Sequence, residues 1–509
     1  MARLITDYLE RTAERIPAKI AAVDKRRSIS YGELREEAHR VAQGMMERGF
    51  FGRYIGVFMD KCVEFMAAFD GIAYAGNAFV PLDIKMPLKR LQRIMGDISL
   101  AAVITDEEHL PLLRKLTGCG EMILYSDLQR IRPDEMALAA RNAQIIDTDP
   151  LQVMFTSGST GRPKGVVFSH RTELVNAGWL GKQFRFGEDT VFGNQPPFFF
   201  TLSYPELYAS LRGGCTEYLL DHEMFVFPAQ LMEFLREHSI NTILWVPSVY
   251  QYIASVGLLE ELGEAGKLPR IELGLFAGSV MPNRCLNRWR RNFPAARFVN
   301  IYGMTETGGF ATFYEADRDF SDDDPLPMGR PMSNRSVLVL GDGKQVLPEE
   351  RGKTGELYVR GSGLALGYVG EGGEAESAFC RNPLRTEYHE KILRTGDIVR
   401  YNEYGELVYA ARTDAQIKHQ GRRIELGEIE VAMAAVPGVV AGCCLYDEVK
   451  SEIVYFYEGD AVPGALRQEA KETLPHYMEP ARFEQGELPM TPNGKIDRVA
   501  LRQRLESHG

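Results

Sequence analysis

Leu34, Ala38, Val41, Ala42 and Met45 recur at helical spacing ahead of Gly49, a pattern that predicts an amphipathic helix closed by a glycine. The apolar run YIGVFM that follows has the length of a strand. Short apolar runs then alternate with helical stretches through AAVITD, TILWVP, ELGLFAG and ARFVNIYG. That alternation predicts strands joined by crossover helices, hence an α/β domain with largely parallel sheets. Past about residue 335 the texture changes to VLVLGDGKQVL, GELYVRG and GELVYAAR, where alternating strands and glycine-bearing turns predict a small β-rich subdomain. From about residue 414, the helix-like IELGEIEVAMAAV and the strand-like CCLYD and IVYFY are enough for a compact α+β domain. No repeat or low-complexity linker intervenes. The chain therefore divides into residues 1–413 and 414–509 at a tight boundary near Asp414.

A length of 509 residues exceeds what one growing core accommodates and agrees with more than one domain. The formal charge of −11 supplies no basic surface for phosphate neutralisation, which argues against a nucleic-acid partner. Seven scattered cysteines lack the paired short spacings of a zinc site and read as reduced, buried thiols. Asp7 and Glu10 interrupt the N-terminus before an apolar leader could form, and no uncharged apolar span of about 20 residues follows. The expectation is a cytoplasmic protein without membrane insertion.

The densest chemical signal is FTSGSTGRPKGVVFSH at 155–170. Gly158, Gly161 and Gly165 interleave there with the hydroxyls of Thr156, Ser157, Ser159 and Thr160, and Lys164 adds a cation. Glycines let backbone amides turn inward and hydroxyls add donors, so the segment reads as a phosphate-cradling loop. Walker A spacing is not met and the loop runs into a strand, VVF, which excludes a P-loop kinase or ATPase architecture. A Gly/Ser/Thr cluster between strands is otherwise a simple hairpin turn. GELYVRGSGLALGYV at 355–369 lacks Rossmann spacing, so Gly361, Gly363 and Gly367 read as structural.

The phosphate loop resembles that of the adenylate-forming superfamily, which includes non-ribosomal peptide synthetase adenylation domains, acyl-CoA synthetases and luciferases. The resemblance continues in the family's order through YAGNAFVPLD (74–83), NIYGMTET (300–307), RTGDI (394–398), ARTDAQIKHQGRRIELGEIE (411–430), LPHYMEP (474–480) and PNGKIDR (492–498). It implies two mainly parallel α/β subdomains and a β-rich subdomain, followed by a small mobile α+β domain that pivots at Asp414. By the same resemblance Thr156 to Lys164 hold phosphates, Tyr302 stacks on adenine, Thr305 meets the α-phosphate and Glu306 holds Mg2+. Asp397 takes the ribose hydroxyls, Arg412 lies near ribose and phosphate, and Lys495 is the catalytic lysine. ATP and magnesium are thus implied, with acyl-AMP as intermediate. The RIELGEIE wording resembles members that serve a carrier-bound phosphopantetheine thiol more than CoA ligases. Lys418, Arg422 and Arg423 read equally well as a solvated basic face.

In amino-acid-activating members an aspartate in F-D-x-S grips the substrate ammonium; the corresponding stretch here is FTLS, with Thr201 in the aspartate's place. An unpaired buried ammonium costs several kcal/mol, so a carboxylic acid without an α-amino group is expected. Alignment to the family's pocket pattern implies that Thr201, Leu202, Pro205, Ser248, Leu275, Ala277, Ile301, Gly309 and Phe310 surround the acyl group, a nearly apolar lining. The stretch FFFTLSYPELYASLRGG nevertheless looks most like D-alanine carrier-protein ligases. No carrier domain follows Lys495, so a stand-alone enzyme with a separate carrier is expected. A CoA ligase and a catalytically silent ATP-binding module are the rival readings. Retention of Lys164, Glu306, Asp397 and Lys495 together weighs against the second.

Overall fold

The computed structural model describes residues 2–157, 163–322, 324–369, 378–412, 416–490 and 496–507. The predicted amphipathic helix spans Tyr31–Glu47, and its start is set by a capping box. Ser30 Oγ accepts from Glu33 N, and the Glu33 carboxylate accepts from Ser30 N at 2.8 Å. Leu34, Ala38, Val41, Ala42 and Met45 all face the core.

The chain builds two large sheets. In the first, the strands Arg297–Tyr302, Leu273–Ala277, Thr242–Trp245, Val191–Asn194, Thr216–Leu219 and Ile20–Val23 run parallel, with antiparallel strands added at both edges. In the second, Pro150–Thr156, Ala78–Pro81, Tyr54–Phe58, Leu100–Thr105 and Glu121–Leu124 are parallel, and Lys164–Ser169 and Gly367–Tyr368 continue the sheet antiparallel. One core cluster joins the facing layers of the two sheets: Phe69 and Phe79 from the second meet Phe198, Tyr204 and Tyr208 from the first. The expected β-rich region is a third, antiparallel sheet centred on Arg335–Gly341, Thr354–Gly361 and Lys391–Tyr401.

The C-terminal part carries the sheet of Val439–Asp447, Glu452–Gly459 and Arg482–Gln485 packed on the helices Leu426–Ala434 and Pro463–Thr473. The helix expected from Ile424 begins only at Leu426. Arg422–Glu425 instead pairs antiparallel with Gln416–His419, because Gly421 turns the chain at φ +76° and Ile424 finds Ile417 across the ladder. All seven cysteines are free and six are buried, Cys380 being half-buried. Among the described residues no helix is long and apolar enough to cross a membrane.

Candidate active site

The site forms where the C-terminal edges of the parallel strands meet the hairpin Gln416–Glu425. At the end of Arg297–Tyr302 the chain makes a tight turn: a Cβ on Gly303 would lie 2.2 Å from the Gly309 carbonyl oxygen. The turn includes Thr305–Thr307 as one 3-10 turn and then two left-handed glycines, Gly308 and Gly309. This geometry puts Thr305 on the wall of a cavity and buries Glu306 beneath it.

The Glu306 carboxylate is fully engaged. Arg423 Nη1 donates to both of its oxygens at 2.9 and 3.0 Å, and the Tyr368 hydroxyl donates at 2.8 Å. Burial pushes this carboxyl up, but the Arg423 charge and the hydrogen bonds outweigh burial and hold it below the usual carboxylate range. Tyr368 in turn lies under the Lys164 ammonium, 5.8 Å from the ring centroid. The described part of the phosphate loop therefore touches the Glu306 turn through one aromatic ring.

A second cluster forms beside the first. Asp397, buried on the strand Lys391–Tyr401, accepts from the Tyr302 hydroxyl and from Arg412 Nη1, the latter at 2.6 Å. Burial and the Asp397 charge push the Tyr302 phenol well up, so it stays a donor. Lys418 covers the Tyr302 ring at 5.1 Å. Burial depresses the Lys418 ammonium, with Asp397 opposing. Ser157 closes the hairpin onto the phosphate-loop strand, donating to the Arg423 carbonyl at 2.8 Å and accepting from Glu425 N at 3.2 Å.

The structure thus gathers Thr156, Ser157, Lys164, Tyr302, Thr305, Glu306, Asp397 and Arg412 around one cavity or directly behind its wall. Gly158, Ser159, Thr160, Gly161, Asp414 and Lys495 lie outside the described residues. Of the expected acyl-pocket residues, Thr201, Leu202, Ala277 and Gly309 line the cavity. Leu275, Ile301 and Phe310 are packed in the core, Pro205 is buried on the helix Ser203–Gly213, and Ser248 sits half-buried on Pro247–Ser255. These five are not among the cavity's lining residues.

The basic run is not a solvated face. Arg423 pairs with Glu306, Lys418 lies on Tyr302, and Arg422 stacks on Tyr477 at 4.0 Å, because the hairpin turns all three inward. Sequence reasoning missed Tyr368, whose only signal is its place in GYV after a glycine run. It also missed Asp83, Met86 and Arg90, which line the cavity from the far side of YAGNAFVPLD.

Glu306 offers two hard carboxylate oxygens beside the phosphate-loop strand, a donor type suited to a divalent cation that keeps most of its other ligands as water and phosphate. In this arrangement Arg423 occupies that carboxylate, so a cation there requires the hairpin to withdraw.

Comparison with known proteins gives the same direction. The family model described as AMP-binding enzyme matches residues 9–369. Tyrocidine synthase 1 of Brevibacillus parabrevis is 30% identical over 504 residues, covering 98% of this chain and 44% of that protein, so the chain spans less than half of that relative's length. Zwittermicin A synthase ZmaJ of Bacillus cereus is 28% identical over 98% of this chain and 95% of its own length. The Vibrio cholerae adenylation domain AlmE, solved with glycyl-adenosine-5'-phosphate, superposes with a TM-score of 0.84 at 20% identity, covering 100% of this chain and 98% of that one. With the family model spanning well over half of the chain, the protein belongs to the AMP-binding enzymes, the AMP-forming adenylating family.

Proposed function

We propose that the protein activates a carboxylic acid as its acyl-adenylate and then transfers the acyl group to the phosphopantetheine thiol of a separate carrier protein. The acid is an apolar one without an α-amino group. The observation that carries the substrate reading is the wall at Thr201: it lines the cavity with Leu202, Ala277 and Gly309, and the one carboxylate lining the cavity among the described residues is Asp83. An ammonium group placed against that wall would be buried without a charge partner.

In the first half-reaction the substrate carboxylate attacks the α-phosphorus and pyrophosphate leaves, so catalysis rests on positioning and charge stabilisation. Thr156 to Lys164 cradle the phosphates, Thr305 donates to the α-phosphate, Asp397 orients the ribose and Lys495 bridges carboxylate and phosphate. A magnesium ion held by Glu306 would neutralise charge on the departing pyrophosphate. Tyr302 forms the adenine platform, on a ring that Lys418 also approaches in the docked arrangement. The hairpin contacts support a two-state cycle: with Arg423 on Glu306 the metal-holding carboxylate is covered, and the hairpin's withdrawal frees it for the first half-reaction.

Substrate-dependent exchange of labelled pyrophosphate into ATP tests this across a panel of amino acids and of aliphatic, hydroxy and aryl acids, with Lys495→Ala as control. Exchange confined to acids without an α-amino group is expected, with Lys495→Ala reduced at least about a hundredfold. Exchange with none of the panel would refute the assignment. A second reading, activation of D-alanine or another small amino acid, is favoured by the close superposition on a domain holding a glycyl adenylate. Exchange with amino acids would select it.

A further inference from the structure

Most cations around the cavity already have an acid. Arg423 is on Glu306, Arg412 on Asp397 and Arg90 on Glu428. Arg422 differs. Its guanidinium lies 4.0 Å from the Tyr477 ring centroid and 5.9 Å from that of Phe200, and no described residue makes a hydrogen bond or ion pair to it. It lines the same cavity as Thr201, Gly303 and Thr305, beside the backbone of Gly421, which packs against Gly278. Burial depresses the guanidinium, yet it stays charged. The charge of Asp83 reaches it, but no described carboxylate pairs with it. A desolvated cation that lines a cavity without a paired acid marks a place for an anion.

We propose that Arg422 stabilises the attacking thiolate of the second half-reaction. The inference rests on the thiol-acceptor reading given above. The thiol proton leaves to water and the sulfur, held as thiolate by Arg422, attacks the acyl carbonyl carbon. A C–S bond forms, the C–O bond to the phosphate breaks, and AMP departs with the electron pair. The nucleophile is the thiolate, and a nearby cation raises the fraction present at neutral pH.

The other groups facing Arg422 do not supply a better device. Asp83, which lines the same cavity, is pushed up by burial despite the Lys85 backbone hydrogen bond and the charge of Arg422. His222 and His419 are both depressed by burial first, His222 then by the charges of Lys85 and Arg422 and His419 by that of Arg422. Burial also pushes the Tyr477 phenol up. Lys418, on the same hairpin, lies over Tyr302 and so faces the nucleotide side.

The test compares wild type, Arg422→Gln and Arg422→Lys in both half-reactions. The acyl-adenylate is formed with an acid that supports pyrophosphate exchange. It is then chased with pantetheine or coenzyme A between about pH 6 and 9, and thioester formation is followed in a single turnover. In Arg422→Gln, transfer is expected to fall at least tenfold more than exchange does, and the midpoint of its rise with pH to move upward by about one pH unit. Arg422→Lys restores most of that midpoint. Equal slowing of both half-reactions with an unmoved midpoint would make the stacking purely structural and overturn the proposal alone. A wild-type enzyme that exchanges pyrophosphate but acylates neither thiol overturns the thiol-acceptor reading and this inference with it.

Discussion

Under the proposed function, Thr201 is the side chain that sets the substrate class. It is 8% exposed, on the cavity wall, and it can offer a hydroxyl where an ammonium-binding site needs a carboxylate. Thr201→Asp is therefore expected to raise kcat/KM for pyrophosphate exchange with small α-amino acids by about tenfold or more, the scale of one buried charge-assisted hydrogen bond. Activity with apolar acids should fall in the same variant. Unchanged activity with both classes would show that this wall does not read the α-position. Asp70 makes the opposite point, that a buried acid need not be functional. It lies on Val63–Tyr74 with Oδ2 unpartnered, and burial, reinforced by the Glu10 charge, pushes its carboxyl up to about 8. A carboxyl whose folded pKa is raised contributes stability that is complete below its unfolded value and is lost as pH rises through the folded value. The stability advantage of wild type over Asp70→Asn should thus shrink as pH rises from about 4 to about 8, by an amount on the order of a few kcal/mol. Denaturant titrations of both proteins across that window measure it, and a constant difference would refute the assignment.

The hairpin Gln416–Glu425 organises more of the site than any other element, and it was the least legible one in the sequence. Strands such as Tyr54–Phe58 and Leu273–Ala277 were readable because apolar runs of five or six residues can only bury themselves in a sheet. The Glu306 turn was readable because its residues are contiguous. The pairing of Glu306 with Arg423 joins residues 117 positions apart, and Lys418 with Tyr302 is equally remote, so no local pattern encodes either contact. A basic run looks the same whether it faces solvent or a buried acid. Gly421 carried a local signal, since the hairpin tip fits only without a side chain: a Cβ there would meet Val246 Cγ1 at 2.3 Å, at φ +76°. Gly278 is also tight, its would-be Cβ lying 2.8 Å from the Gly421 carbonyl oxygen. Gly421→Val is expected to block docking of the hairpin and slow acyl transfer to thiol at least about tenfold, because backbone strain of this kind costs about 1–3 kcal/mol. Pyrophosphate exchange should fall by much less, since Arg423 occupies the Glu306 carboxylate only when the hairpin is docked. Parallel losses in both reactions would show that Gly421 serves folding alone.

Among the described residues, ion pairs join the helix Leu88–Asp97 to the C-terminal helices in addition to the hairpin. Arg90, on Leu88–Asp97, reaches Glu428 on the helix Leu426–Ala434, with both side chains about 5% exposed or less. Lys89 next to it contacts Glu472 at 2.6 Å and Glu469 at 3.7 Å, but its side chain is 52% exposed, so those pairs are screened and add little. The buried pair behaves differently: removing one partner takes this ion pair from a charge that stays buried, at a cost of about 3–5 kcal/mol, whereas removing both avoids that penalty. Arg90→Ala should therefore undock the C-terminal part, exposing amides of Gln416–His419 and Arg422–Glu425 to faster hydrogen exchange. The double variant Arg90→Ala/Glu428→Ala should recover much of the protection. This non-additivity separates a docking lock from a general loss of stability, which would speed exchange throughout the core, including Leu273–Ala277. The same variants connect the interface to the chemistry. If docking covers Glu306, then loosening it shifts the population toward the uncovered arrangement. Arg90→Ala is then expected to retain or gain pyrophosphate exchange while losing transfer to thiol, and the double variant to move both back toward wild type. Loss of both activities in Arg90→Ala with unchanged hydrogen exchange at the hairpin would place Arg90, which also lines the cavity, in substrate binding rather than in the docking of the two parts.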